Sequence, residues 1–118
     1  MRITRVANYQ ALSALAADIV IKEVQKKPDL FFCAATGGSP TGMYVEMQKE
    51  KEVFHQMRVI KMDEWGIIPS HHPNSCESYL QKHLLGPLNI PAERYVSFDP
   101  NSTEPENEIQ RIESYIQA

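Results

Sequence analysis

The sequence is poor in cysteine and tryptophan and has no excess of positive charge. Its 2 cysteines, Cys33 and Cys76, stand far apart and form no Cys-x-x-Cys pair. Free thiols, buried or half-buried, are therefore expected rather than a disulfide or a redox motif. Lys and Arg number 12 against 15 Asp and Glu, a formal net charge of −3. Such a balance lacks the basic face of a nucleic-acid binder, so no nucleic-acid partner is expected. No apolar run is long enough to cross a bilayer, and no membrane partner is expected either. The opening MRITRVANYQ lacks the apolar core of a secretory signal, which makes the cytoplasm the expected compartment.

What is present is ordinary for a globular chain: 118 residues, 42% hydrophobic and 23% charged. This fits one domain, residues 1–118, with a modest core. MRITRV alternates weakly, as a short edge strand does. From Tyr9 to Lys26 the pattern is helical, with Asn8 as N-cap and Leu12, Leu15, Ile19 and Val20 on one face, joined by Val24. LFFCAAT, residues 30–36, is a continuous apolar run that reads as a strand buried on both faces. A short helix through Met43, Tyr44 and Met47 follows, then a second strand, MRVIKM. Asn74 and Glu77 form a capping-box-like pair for a helix that stops near Gly86-Pro87. RYVSF is a third strand. A last helix, with Pro105 in its first turn, carries an apolar stripe of Ile109, Ile112 and Ile116. Strands and helices in this alternation predict an α/β fold: a largely parallel sheet with helices on both faces, a Rossmann-like three-layer arrangement.

Two connections invite chemistry. TGGSPTG, Thr36 to Gly42, joins a strand to a helix, where ligands bind in open parallel sheets. Its glycines let backbone N–H groups approach an anion, and Thr36, Ser39 and Thr41 add hydroxyls. It is neither a P-loop nor a dinucleotide turn. A phosphate cradle and a plain tight connection both fit it, and the turn contains no Lys or Arg. Asp63 and Glu64 end the second strand at the same sheet edge. A carboxylate there suits a general base on a phosphorylated substrate, with Trp65 as wall or shield; a turn cap beside a solvated acid also fits. His71-His72 reads as a loop pair and not a metal site, because adjacent residues seldom bind one ion together.

ATGGSPTGMY followed by KMDEWGIIPSHHPNSCESYL resembles the aminosugar-6-phosphate deaminase/isomerase family. The matching motifs are Thr36 to Pro40, Met62 to Trp65, and His72, Pro73, Ser75, Ser78 and Tyr79. The resemblance implies a hexosamine 6-phosphate substrate, turned into a ketose 6-phosphate and ammonia with no cofactor and no metal. It implies Asp63 as the catalytic proton-transfer base with Glu64 beside it, and Thr36, Gly37, Gly38 and Ser39 as the substrate phosphate turn. Trp65 after Asp-Glu, where the related 6-phosphogluconolactonases typically carry Arg, favours the deaminase branch and hints at a galactosamine-type member. A lactonase-like hydrolase and a non-catalytic sugar-phosphate-binding module are the alternatives. The family's second half carries a Gly-x-x-x-Asp-Gly-His motif and a cationic phosphate clamp, which this chain does not contain. The chain is therefore expected to be an N-terminal half, inactive alone, with exposed strand edges that favour a homo-oligomer.

Overall fold

The computed structural model describes residues 3–118. Three parallel strands, β1 (Phe31–Ala34), β2 (Arg58–Lys61) and β3 (Tyr95–Val96), form a sheet in the order β1-β2-β3. Four α-helices accompany them: α1 (Tyr9–Lys26), α2 (Gly38–Met47), α3 (Cys76–Leu80) and α4 (Pro105–Gln117). A 3-10 segment, Gln48–Phe54, leads from α2 towards β2, and α3 continues as a π-helical turn over Gln81–Leu85. The α/β class and parallel sheet agree with the sequence reading. Of the expected first strand, Met1 and Arg2 lie outside the described residues and residues 3–6 are irregular.

The register sets the geometry of everything that follows. Ala34 stands beside Lys61 in the β1–β2 pairing, and the ladder continues through Met62 N–H to Ala34 C=O at 3.0 Å. Thr36 and Asp63 each lie two residues past that pair, on neighbouring strands that run about 5 Å apart. Parallel pairing thus brings the glycine turn and the acid tip to one edge.

The core draws on one face of the sheet. Ala34 and Val59 belong to the buried cluster and Phe32 and Tyr95 pack against it, with Tyr44, Met47, Phe54, Leu80, Leu84 and Leu85 from the helices. On the opposite face Ile60 is buried, but Cys33 is exposed. The expectation that β1 is buried on both faces, and Cys33 with it, is corrected here: on that side Cys33 is exposed and Phe31 only half-buried.

Asn8 caps α1 as expected, its side chain accepting from Ala11 N–H at 2.9 Å. The buried face of α1 is rotated from the expected one, sharing with it Val24, which is buried, and Val20, which packs against the core. Ser13, Ala17, Ile21 and Val24 are buried, whereas Leu12 and Ile19 are about half exposed. Small residues face inward because α2 comes close. A Cβ added at Gly42 would stand 2.1 Å from Ser13 Oγ and 2.9 Å from its Cβ. Gly42→Ala is accordingly expected to cost about 1–3 kcal/mol by forcing the two helices apart. Urea unfolding checks this, and an unchanged midpoint would show that the helix contact relaxes freely.

Along α4, Pro105 occupies the first turn as expected. Its isoleucine stripe is only partly covered: Ile112 is half-buried, while Ile109 and Ile116 are exposed. Asn74 does not cap α3. Ser75 does, accepting from Ser78 N–H at 3.0 Å, which frees Glu77 for the role described next. Among the described residues, no helix is long and apolar enough to cross a membrane.

Candidate active site

Gly37 has φ +114°, a conformation that side-chain-bearing residues seldom adopt. It occupies the N-cap position of α2 and brings no side-chain cap. The first helical N–H groups, those of Gly38 and Ser39, have no partner one turn back within the helix, and residue 40 is proline and has no N–H. Nothing stands within 4 Å of a Cβ added at Gly37 or Gly38, so the turn opens on free space. The helix dipole adds a partial positive charge at this end. Open amides, no competing cap and a favourable dipole together suit an anion.

The carbonyls of the turn are held from behind. Tyr79 Oη donates to Gly37 C=O at 2.8 Å, and Thr41 Oγ1 reaches the same oxygen at 2.8 Å. Tyr9 Oη donates to Gly38 C=O at 2.6 Å and accepts from Gly42 N–H at 2.8 Å. The Thr36 hydroxyl stands 3.4 Å from Cys76 Sγ. Burial pushes the Cys76 thiol up, and the Glu64 and Asp63 carboxylates add to that against the Thr36 contact. Cys76 is therefore a neutral thiol, not a nucleophile.

The two acids at the tip of β2 part company. The Asp63 residue is exposed, and its carboxylate makes no hydrogen bond among the described residues. The Glu64 side chain is wholly buried. It accepts from Cys76 N–H at 2.7 Å, Glu77 N–H at 2.8 Å and Trp65 N–H at 3.0 Å, and from Lys61 Nζ at 3.1 Å. Burial raises the Glu64 pKa, but the three N–H groups and the Lys61 ammonium outweigh it and bring the carboxyl down to about 2. An acid held so firmly in its charged form is poorly suited to carry protons near neutral pH.

Lys61 is the cation at the centre of this arrangement. It is itself buried, 3.3 Å from Glu77 Oε2 as well as beside Glu64, with the Phe98 ring centroid at 5.0 Å. Glu77 also accepts from Tyr95 Oη at 2.8 Å and Ser97 Oγ at 3.1 Å. The network joins β2, β3 and the start of α3, and it leaves Lys61 no role as a phosphate clamp. Sequence reasoning passed over Lys61 and gave Glu77 only a capping role. The available signal was a lysine inside an apolar strand, which needs a buried counter-charge.

Trp65 is exposed and so shields nothing in this structure. Two residues on, Ile67 has φ 65°, a strained value for a β-branched residue. Asn101 holds it there, accepting from Ile67 N–H at 2.7 Å.

The family described as glucosamine-6-phosphate isomerases/6-phosphogluconolactonase matches residues 6–118. A glucosamine-6-phosphate deaminase of Halothermothrix orenii is 34% identical over 121 residues, 98% of this chain and 50% of its own. One from Geobacillus sp. is 32% identical over 124 residues, covering 100% of this chain and 49% of that relative. Among solved structures, a monomeric glucosamine-6-phosphate deaminase of the NagB superfamily superposes with a TM-score of 0.90 at 26% identity, over 99% of this chain and 50% of its own. The chain thus spans about half the length of the curated relatives it matches.

Proposed function

We propose, because the chain belongs to the family of glucosamine-6-phosphate isomerases and 6-phosphogluconolactonases, that it carries the phosphate turn and the proton-transfer base of an aminosugar-6-phosphate deaminase/isomerase acting in the cytoplasm. The observation that carries this reading is the placement of the open Gly37–Ser39 turn and the exposed Asp63 at the ends of adjacent parallel strands. Relatives named for glucosamine 6-phosphate support the substrate class.

The substrate phosphate accepts from the Gly38 and Ser39 amides. Asp63 takes the C2 proton of the open-chain aminosugar, giving an enolamine, and returns a proton to C1. Water then adds to the resulting C2 iminium and ammonia leaves, so the net change is hexosamine 6-phosphate plus water to ketose 6-phosphate plus ammonia. Glu64 does not touch substrate in this scheme. It anchors the strand tip to α3 and so positions Asp63. The turn has no Lys or Arg of its own, and turnover draws on residues beyond those of this site.

The test uses the product of the complete reading frame. Ammonia release from glucosamine 6-phosphate and galactosamine 6-phosphate is measured beside hydrolysis of 6-phosphogluconolactone. Ammonia from either aminosugar is the expected result, and acid release from the lactone alone would replace the deaminase reading with a hydrolase. For the assembly we propose a homo-oligomer, supported by the exposed isoleucines of α4; a monomer by light scattering excludes it.

A further inference from the structure

We propose that Tyr9 and Tyr79 are positioning residues, each fixing one peptide plane of the phosphate turn so that its N–H faces the ligand. This rests on the phosphate reading of the turn given above. In a trans peptide the N–H points opposite the C=O of the preceding residue, and no cis peptide occurs among the described residues. The carbonyl of Gly37 and the N–H of Gly38 therefore share one plane, and the carbonyl of Gly38 shares the next with the N–H of Ser39. Tyr79 Oη on the Gly37 oxygen fixes the first plane, and Tyr9 Oη on the Gly38 oxygen fixes the second.

The need for such bracing follows from the composition of the turn. Two adjacent glycines leave these planes freer to rotate than any other pair of residues would. An anion site whose donors must first be ordered loses affinity to that ordering. Hydrogen bonding at the carbonyl also polarises the peptide and strengthens its N–H as a donor. The braces arrive from two different elements, Tyr9 from the start of α1 and Tyr79 from α3.

The two braces differ in redundancy. The Gly37 oxygen also receives Thr41 Oγ1, and the Thr41 and Tyr79 hydroxyls are 2.6 Å apart. Two hydroxyl protons serve three contacts there, so either hydroxyl can take over the carbonyl. Tyr9 has no second side-chain donor beside it among the described residues, and its hydroxyl joins two backbone groups, donating to Gly38 C=O and accepting from Gly42 N–H, the amide that α2 itself directs at that carbonyl. Tyr9→Phe is therefore expected to be the more damaging change.

The experiment follows the backbone amide signals of the 15N-labelled product of the complete reading frame during titration with inorganic phosphate and with glucosamine 6-phosphate. In the unaltered protein Gly38 and Ser39 amides are expected to shift. Tyr9→Phe should weaken binding about threefold to tenfold, the scale of one hydrogen bond, and should diminish the Ser39 response more than that of Gly38. Tyr79→Phe should have a smaller effect, with Gly38 the more diminished. A general loosening of the fold would diminish both amides alike in both variants, and that pattern overturns the proposal, as does unchanged affinity in folded variants. Each variant retains its ring, and each alone decides its own peptide plane if the other fails to fold. Silence of both amides in the unaltered protein would remove the phosphate reading itself, and the bracing role with it.

Discussion

Glu64→Ala is expected to lower the stability of the folded chain by about 3–5 kcal/mol, because it takes one of two counter-charges from a buried ammonium and the acceptor from a cluster of amides. Lys61 has no exposed side-chain surface, and Glu64 is one of its two carboxylate partners. Removing Glu64 also leaves the amides of Cys76 and Glu77 without their acceptor. A loss of that size is a large share of the about 5–15 kcal/mol that holds a domain together. Urea unfolding measures it, and a midpoint equal to that of the unaltered chain would dismiss the network as a stabilising element. Glu64→Gln is expected to do less harm, since an amide oxygen still accepts from part of the N–H cluster.

Acid reports on the same carboxylate. The Glu64 carboxyl titrates near 2 when folded against an ordinary 4.5. A group with a depressed folded pKa binds its proton more readily in the unfolded chain. Its contribution is complete above about 4.5 and disappears as pH falls towards 2. Glu77 is lowered too: burial opposes the charge, but Gln81, Tyr95 and Lys61 outweigh it, and its contribution disappears in the same direction. Unfolding midpoints measured between pH 5 and pH 2 should therefore fall for the unaltered chain and fall less steeply for Glu64→Gln.

The legible parts of the chain were those whose partners are near in sequence or whose pattern is one-dimensional. The runs at LFFCAAT and MRVIKM mark β1 and β2, and the turn residues after them mark the functional edge, because parallel strands deliver their following loops to one side. The face of α1 was misread for a physical reason. Counting large apolar residues selects Leu12 and Ile19, but the closest helix contact is made by Ser13 against Gly42, where small side chains permit approach. The isoleucines of α4 form a regular stripe that stays largely exposed, so periodicity there marked a face without its partner. Lys61 and Glu77 lie 16 residues apart, and no local pattern joins them. The same distance hid the division of labour at Asp63 and Glu64. Adjacent acids look alike in sequence, yet one carboxylate is enclosed by three amides and an ammonium while the other faces solvent.

That division makes Asp63→Asn the sharpest test of the chemistry. In the product of the complete reading frame it is expected to lower kcat for ammonia release about 10²–10⁴-fold, the range for loss of a positioned general base. Asparagine has nearly the shape of aspartate but cannot take up and return a proton at neutral pH. Asp63 contributes no hydrogen bond to the fold among the described residues, so the variant should keep its unfolding midpoint. It sits beside the phosphate turn and not within it, so KM and the affinity for glucosamine 6-phosphate should change little. A fall in kcat alone identifies an interaction made in the transition state. Undiminished ammonia release would remove Asp63 from the role of base, and a collapse of stability would recast it as structural. Glu64→Gln gives the opposing pattern: stability falls, and any loss of turnover follows from displacement of Asp63. The unfolding midpoint separates the two, because Asp63→Asn removes no hydrogen bond of the fold among the described residues, whereas Glu64→Gln disturbs a buried network.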